Sequence, residues 1–301
     1  ASVARRLAMA AAALALLLAS AACGSGPAAP APVPATYYLA LGDSLARGVQ
    51  PDAAGTSVET SAGYPQRVYA ALTGTRPGLR LVQLGCPGET TGTLAHGDLC
   101  HYPGGSQLAA AESFLRARRG HITLVTLDIG ANDLEWCADQ AGARRLAPCL
   151  AQVPRVASRL SAILGDLRAA AGPGVRIVGM NYYLPVLAEW RHGLFGQLVA
   201  RGAARLLEGS NDLLDQAYAK AGDPVADVAA AFDTGDFGHP LTVPGLGSLP
   251  RNVARICQWT WECAPPPRGP NQHANRAGYQ VIADAFVKAS GLVPSRRAGG
   301  A

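Results

Sequence analysis

The chain has 301 residues and a hydrophobic content of 49%, ample for the core of one large domain. Its formal charge of +5 comes almost wholly from scattered arginines. Without a Lys/Arg block or a basic helical stripe, the composition argues against a nucleic-acid partner.

In chain order, the first segment stands apart from the fold. Arg5 and Arg6 precede an apolar run from Leu7 to Leu18, followed by small residues and Cys23. Residues 1–23 thus read as a secretory signal peptide, the apolar run being too short for a bilayer, which needs ~20 residues. Residues 24–35, GSGPAAPAPVPA, read as a Pro/Ala-rich tether. A tether directly after a cysteine looks like a bacterial lipoprotein, with Cys23 as the lipidated residue and the chain held at the outer face of the membrane. Ordinary cleavage after Ala19–Ala21, releasing the protein, is the alternative. Residues 36–293 form the expected folded domain, and 294–301 a disordered tail.

Within that domain, short apolar runs alternate with amphipathic stretches. Strands are expected over Tyr37–Leu41, Leu79–Leu84, Ile122–Ile129, Val175–Tyr183 and Val225–Ala229. Several are nearly continuous hydrophobic runs, as in strands covered on both faces. Helices are expected near Tyr64–Leu72, Gln107–Arg118, Leu150–Ala171, Leu198–Ala221 and Asn275–Ala289. This alternation predicts a three-layer α/β/α sandwich around a mainly parallel five-stranded sheet. In such sheets the functional crevice lies outside the carboxyl ends of the strands.

The segments at those ends carry the candidate chemistry. The first strand runs into GDS at 42–44, where Ser44 is either a nucleophile or a helix N-cap. The second runs into CPGETT, where the N–H of Gly88 is open to a ligand. The third ends in GAND at 130–133, which sets the amide of Asn132 at the rim. Turn chemistry accounts for each segment alone. A histidine, His273 in QHANRAGY, precedes the last helix. His96, His101, His121, His192 and His239 read as surface or structural.

These four segments, in this order, resemble the SGNH (GDSL) hydrolase family over about residues 37 to 289, with its flavodoxin-like fold. The resemblance implies an extracytoplasmic serine esterase or lipase that works through an acyl-enzyme on Ser44, with His273 as general base. It implies an oxyanion hole made by the Ser44 N–H, the Gly88 N–H and the Asn132 side chain. It implies no cofactor and no metal, a small-molecule or lipid ester as substrate, and a monomer. Asp43 and Asp133 read as structural. The departure is at the acid: the family pattern is D-x-x-H, and Pro270 stands three residues before His273. The favoured acceptor for the histidine ring is then the Pro270 carbonyl, with Asn271 next and Asp233 or Asp236 further off. A non-catalytic surface binding lipoprotein is the competing reading, with the missing acid as its motive.

Setting Cys23 aside, the cysteines fall into three close pairs, Cys86–Cys100, Cys137–Cys149 and Cys257–Cys263. Pairing in sequence order is the simplest connectivity for an exported chain, and no metal-ligand spacing competes with it. Trp136, Trp190, Trp259 and Trp261, with Leu184, are candidates for an apolar acyl pocket, or else ordinary packing.

Overall fold

The computed structural model describes residues 34–134 and 152–293. All but Pro34 fall in the compact unit Ala35–Ala301. The signal peptide, Cys23, the tether to residue 33, Trp136, the pair Cys137–Cys149 and the tail from 294 lie outside the described residues.

Five strands form one parallel sheet: β1 (Thr36–Gly42), β2 (Leu79–Gln83), β3 (Ile122–Asp128), β4 (Arg176–Met180) and β5 (Val225–Ala226), in the order β2-β1-β3-β4-β5. The expected runs are all present. Two end three residues short of expectation, β4 at Met180 and β5 at Ala226, while β2 and β3 each end one residue short. Residues 38–42 of β1 are wholly buried, as are Leu124, Val125 and Leu127 of β3 and Ile177, Val178 and Met180 of β4. Burial of successive residues, not alternate ones, is why these strands read as unbroken apolar runs.

Helices α1 (Tyr64–Thr73), α2 (Thr91–His96), α3 (Gln107–Ala117), α4 (Val153–Ala171), α5 (Gly193–Ala221), α6 (Val228–Ala231), α7 (Arg251–Trp259) and α8 (Arg276–Ser290) connect and cover the sheet. α1 packs on α8, where Tyr64 and Phe286 stack with ring centroids 4.4 Å apart. α3 packs on α4 and α4 on α5 as a second group, giving the expected sandwich. The short helices α2, α6 and α7 and the 3-10 segment Pro185–His192 were not expected. α5 begins five residues earlier than Leu198, at Gly193.

Two caps show how the sequence sets element ends. Asn275 accepts from the N–H groups of Ala277 and Gly278 and so starts α8 at Arg276. Asp43 accepts from the Leu45 N–H at 3.0 Å, closing the turn after β1.

Candidate active site

The turn after β1 presents Ser44. Gly42, at φ 130°, is the pivot, and a Cβ there would lie 2.2 Å from the Asp128 carbonyl oxygen. Its N–H donates to Gln107 Oε1 and its C=O accepts from Gln107 Nε2, at 2.7 and 3.0 Å. From the neighbouring strand, the buried Asp128 carboxylate accepts from the N–H groups of Asp43 and Ala46 at 3.3 and 3.1 Å. It also takes the Tyr64 hydroxyl at 2.5 Å. Burial pushes the Asp128 carboxyl up to about 7, against the pull of these donors. The Ser44 turn is therefore gripped by buried polar groups on both sides.

The oxyanion candidates come from the loops after β2 and β3. Asn132 Nδ2 donates one hydrogen to the Glu89 carbonyl at 2.8 Å, which fixes the amide and leaves its second hydrogen for a ligand. Asp133 accepts from the Thr91 N–H and hydroxyl at 2.8 and 2.7 Å, tying the two loops together and capping α2. That is the structural role expected of it. Gly88 lies between Cys86 and this tie and is exposed. Among the described residues, neither the Ser44 nor the Gly88 N–H has a hydrogen-bond acceptor. The Cys86–Cys100 disulfide is present and anchors the loop two residues before Gly88.

His273 arrives from the loop before α8. Its Nε2 is 3.0 Å from Ser44 Oγ, and its Nδ1 is 2.9 Å from Asn271 Oδ1. The same Oδ1 accepts from the His273 backbone N–H at 3.1 Å, while Asn271 Nδ2 donates to Ser57 Oγ at 3.0 Å. The backbone donor fixes which end of the amide faces the ring, since a flipped amide would oppose N–H to N–H. An oxygen at Nδ1 requires a hydrogen there, so the Nε2 lone pair faces the serine hydroxyl. Burial holds the imidazole down to about 4, and no carboxylate offsets it.

The loop is stitched in place from outside. The Trp261 N–H donates to the His273 carbonyl at 3.1 Å, and the Tyr183 hydroxyl to the Gln272 carbonyl at 2.9 Å. The Cys257–Cys263 disulfide closes the turn that carries Trp261.

The structure thus brings His273 to Ser44 and sets Gly88 and Asn132 on the linked loops after β2 and β3. It differs from expectation on the orienting group. Pro270 is exposed, and the group set at Nδ1 is the Asn271 side chain, not the Pro270 carbonyl. Asp233 faces Arg255 at 3.2 Å, and Asp236 faces His239 and Arg251, so neither carboxylate serves the ring. The signal for Asn271 was the short Asn-x-His spacing, which lets one amide reach both the backbone and the ring two residues on. Of the tryptophans, Trp190 packs on Phe237, Trp259 on Phe232, and Trp261 donates to Gln50. This favours the packing account for those three. The other five histidines are exposed.

The arrangement can hold a hydroxyl against an unprotonated imidazole beside three N–H donors, as acyl transfer requires. Comparison with known proteins agrees. The model of the GDSL-like Lipase/Acylhydrolase family matches residues 40–281. No curated protein matches the sequence significantly. Among solved structures, phospholipase A1 from Streptomyces albidoflavus NA297 aligns with a TM-score of 0.51 and 21% identity, over 85% of this chain and 99% of that one. Extracellular lipase from Streptomyces rimosus aligns at 0.51 and 19%, over 85% and 100%. Acetylxylan esterase from Geobacillus stearothermophilus aligns at 0.52 and 17%, over 88% and 99%. At these identities the structural likeness speaks to the fold, and the family match carries the activity: the chain belongs to the GDSL-like lipase/acylhydrolase family and is a carboxylic-ester hydrolase.

Proposed function

We propose that the protein cleaves esters through an acyl-enzyme on Ser44, with His273 as general base and Asn271 as the group that orients it. The observation carrying this is the continuous chain Ser44 Oγ, His273 Nε2, His273 Nδ1, Asn271 Oδ1, with both links near 3 Å. Ser44 Oγ attacks the acyl carbonyl carbon and its proton passes to Nε2. The resulting oxyanion accepts from the Ser44 and Gly88 N–H groups and from the free hydrogen of Asn132 Nδ2. Collapse expels the alcohol, which takes the proton from Nε2. Water then repeats the sequence on the acyl-serine and frees the acid.

A neutral amide fixes the tautomer but stabilises the imidazolium less than a carboxylate would. Burial acts in the same direction: it keeps the ring unprotonated well below neutral pH and makes it a weaker base than a carboxylate-backed histidine. The case for a non-catalytic binding protein rested on an empty acid position, and Asn271 supplies an acceptor for the ring, so that case falls away.

Two disulfides beside the site favour an oxidising compartment, and we place the enzyme outside the cytoplasm as a monomer. Lipidation at Cys23 would keep it at the membrane. The substrates are small-molecule or lipid esters. The test is labelling with a fluorophosphonate, followed by mass mapping. Ser44 should be the labelled residue, and Ser44→Ala should fold and hydrolyse nitrophenyl esters at background rate. Full activity in that variant would end the proposal.

A further inference from the structure

Among the described residues, six large hydrophobic side chains are exposed. Three belong to the first turns of α5: Leu194, Phe195 and Leu198, at 81%, 79% and 70% exposure. Val186, in the 3-10 segment packed against α5, is a fourth. Leucine and phenylalanine left in water to this extent on one helix end mark a contact surface.

The packing shows which way they point. A Cβ at Gly196 would lie 1.9 Å from the Glu189 carbonyl oxygen, so this face of the helix lies directly on the 3-10 segment. Positions 194 and 198 fall on the opposite face, and 195 flanks it, at 3.6 residues per turn. The face continues with Arg201 and Arg205, both exposed, and then with Glu208 and Asp212, also exposed. Read inward from the helix tip, it is apolar, then basic, then acidic. Other charges near the tip include Arg191, the pair His192–Glu189 and Glu262 close to Glu189, and Arg201 and Arg205 also border a cleft shared with Asp215, Asp227, Asp233 and Asp236. The Arg201 guanidinium is held over the rings of Trp190 and Phe237 at 4.9 and 4.7 Å.

The spacing of these bands matches a lipid surface. At 1.5 Å per residue, Arg201 and Arg205 lie about 10 and 16 Å along the axis from Leu194. A surface-seated apolar face sinks ~5–10 Å, which would bring Arg201 first to headgroup phosphates. Among the described residues no helix is long and apolar enough to cross a membrane, so such contact would be peripheral. The tip also has the right placement. β4 ends at Met180, the chain continues through Pro185–His192 to Gly193, and α5 then leads to β5. The tip follows the carboxyl end of β4, the end of the parallel sheet at which Ser44 and Asn132 also lie.

We propose that the N-terminal tip of α5 is a docking surface for anionic membranes, with Leu194, Phe195 and Leu198 entering the acyl layer and Arg201 and Arg205 meeting phosphates. This goes beyond ester hydrolysis and does not depend on the assignment of Ser44.

The test uses the full chain carrying Cys23→Ser, which removes any lipid anchor from all samples. Its sedimentation with phosphatidylcholine vesicles, with and without phosphatidylglycerol, is compared with that of Leu194→Ser/Phe195→Ser/Leu198→Ser. We expect the triple variant to lose at least about tenfold in partitioning, with hydrolysis of a water-soluble nitrophenyl ester unchanged. Arg201→Glu/Arg205→Glu should lose only the part of binding that depends on phosphatidylglycerol. In Phe195→Trp, lipids brominated along the acyl chain should quench the added fluorescence. Equal partitioning of parent and triple variant, or absence of quenching, overturns the proposal. So does a parent that sediments as a dimer and a triple variant that is monomeric, which would assign the patch to a second copy of the chain.

Discussion

Asn271→Asp would put a carboxylate where a neutral amide now meets the His273 ring, 2.9 Å from Nδ1. With charge centres ~4 Å apart and an effective dielectric of ~20, the attraction is about 4 kcal/mol, or roughly 3 pK units. The ring is not fully buried, so about half of that is the reasonable lower figure. The native imidazole sits at about 4. The variant's should therefore rise to roughly 5.5–7. The sign follows from the base's role: protonated His273 cannot accept the serine proton, so kcat/KM falls as pH drops through its pKa. The native enzyme should keep its kcat/KM down to about pH 5, while the aspartate variant should lose it below about pH 6. The assay is kcat/KM for a soluble nitrophenyl ester across the acid range, with product read after alkaline quenching. A native limb near 6.5, or an aspartate variant whose limb stays in place, would refute the orientation of Asn271 and the burial argument together.

Two further outcomes follow from the geometry. Asn132→Ala removes the side-chain donor proposed for the oxyanion and should lower kcat about 100- to 1,000-fold with little change in KM; a loss under tenfold would take Asn132 out of the hole. Gly42→Ala should prevent folding, since its Cβ would lie 2.2 Å from the Asp128 carbonyl oxygen. Gly105→Ala is the control: it also has positive φ, but no atom lies within 4 Å of the added carbon. It should cost only about 1–2 kcal/mol in denaturant unfolding, and similar losses at the two glycines would contradict the close-packing account.

The parts of the molecule visible in the sequence are those fixed by strong local patterns. Strands β1 and β3 could be read because they are covered on both faces, which demands unbroken apolar runs. β5 was overextended because only Val225 and Ala226 pair, and the residues beyond belong to α6. The start of α5 was missed for a physical reason: Leu194 and Phe195 face water, so the apolar periodicity there does not mark a buried face. Ser44, Gly88, Asn132 and His273 each follow or precede an element end and carry recognisable neighbours. Asn271 was ranked below Pro270 because its part depends on a side-chain rotamer and on Ser57, a residue far away in the chain. Neither is written in local spacing.

The two disulfides among the described residues brace the candidate site unequally. One sits beside Gly88, and the other closes the turn that pairs with the histidine loop. Among the described residues the Ser44 turn has no such link; Gln107 and Asp128 hold it through buried hydrogen bonds. Thiol reagents therefore have a grip on the loops of His273 and Gly88 but not on the turn of Ser44. In a reducing compartment the chain would keep the hydrogen bonds that hold the Ser44 turn and lose the covalent bracing of the two loops beside it.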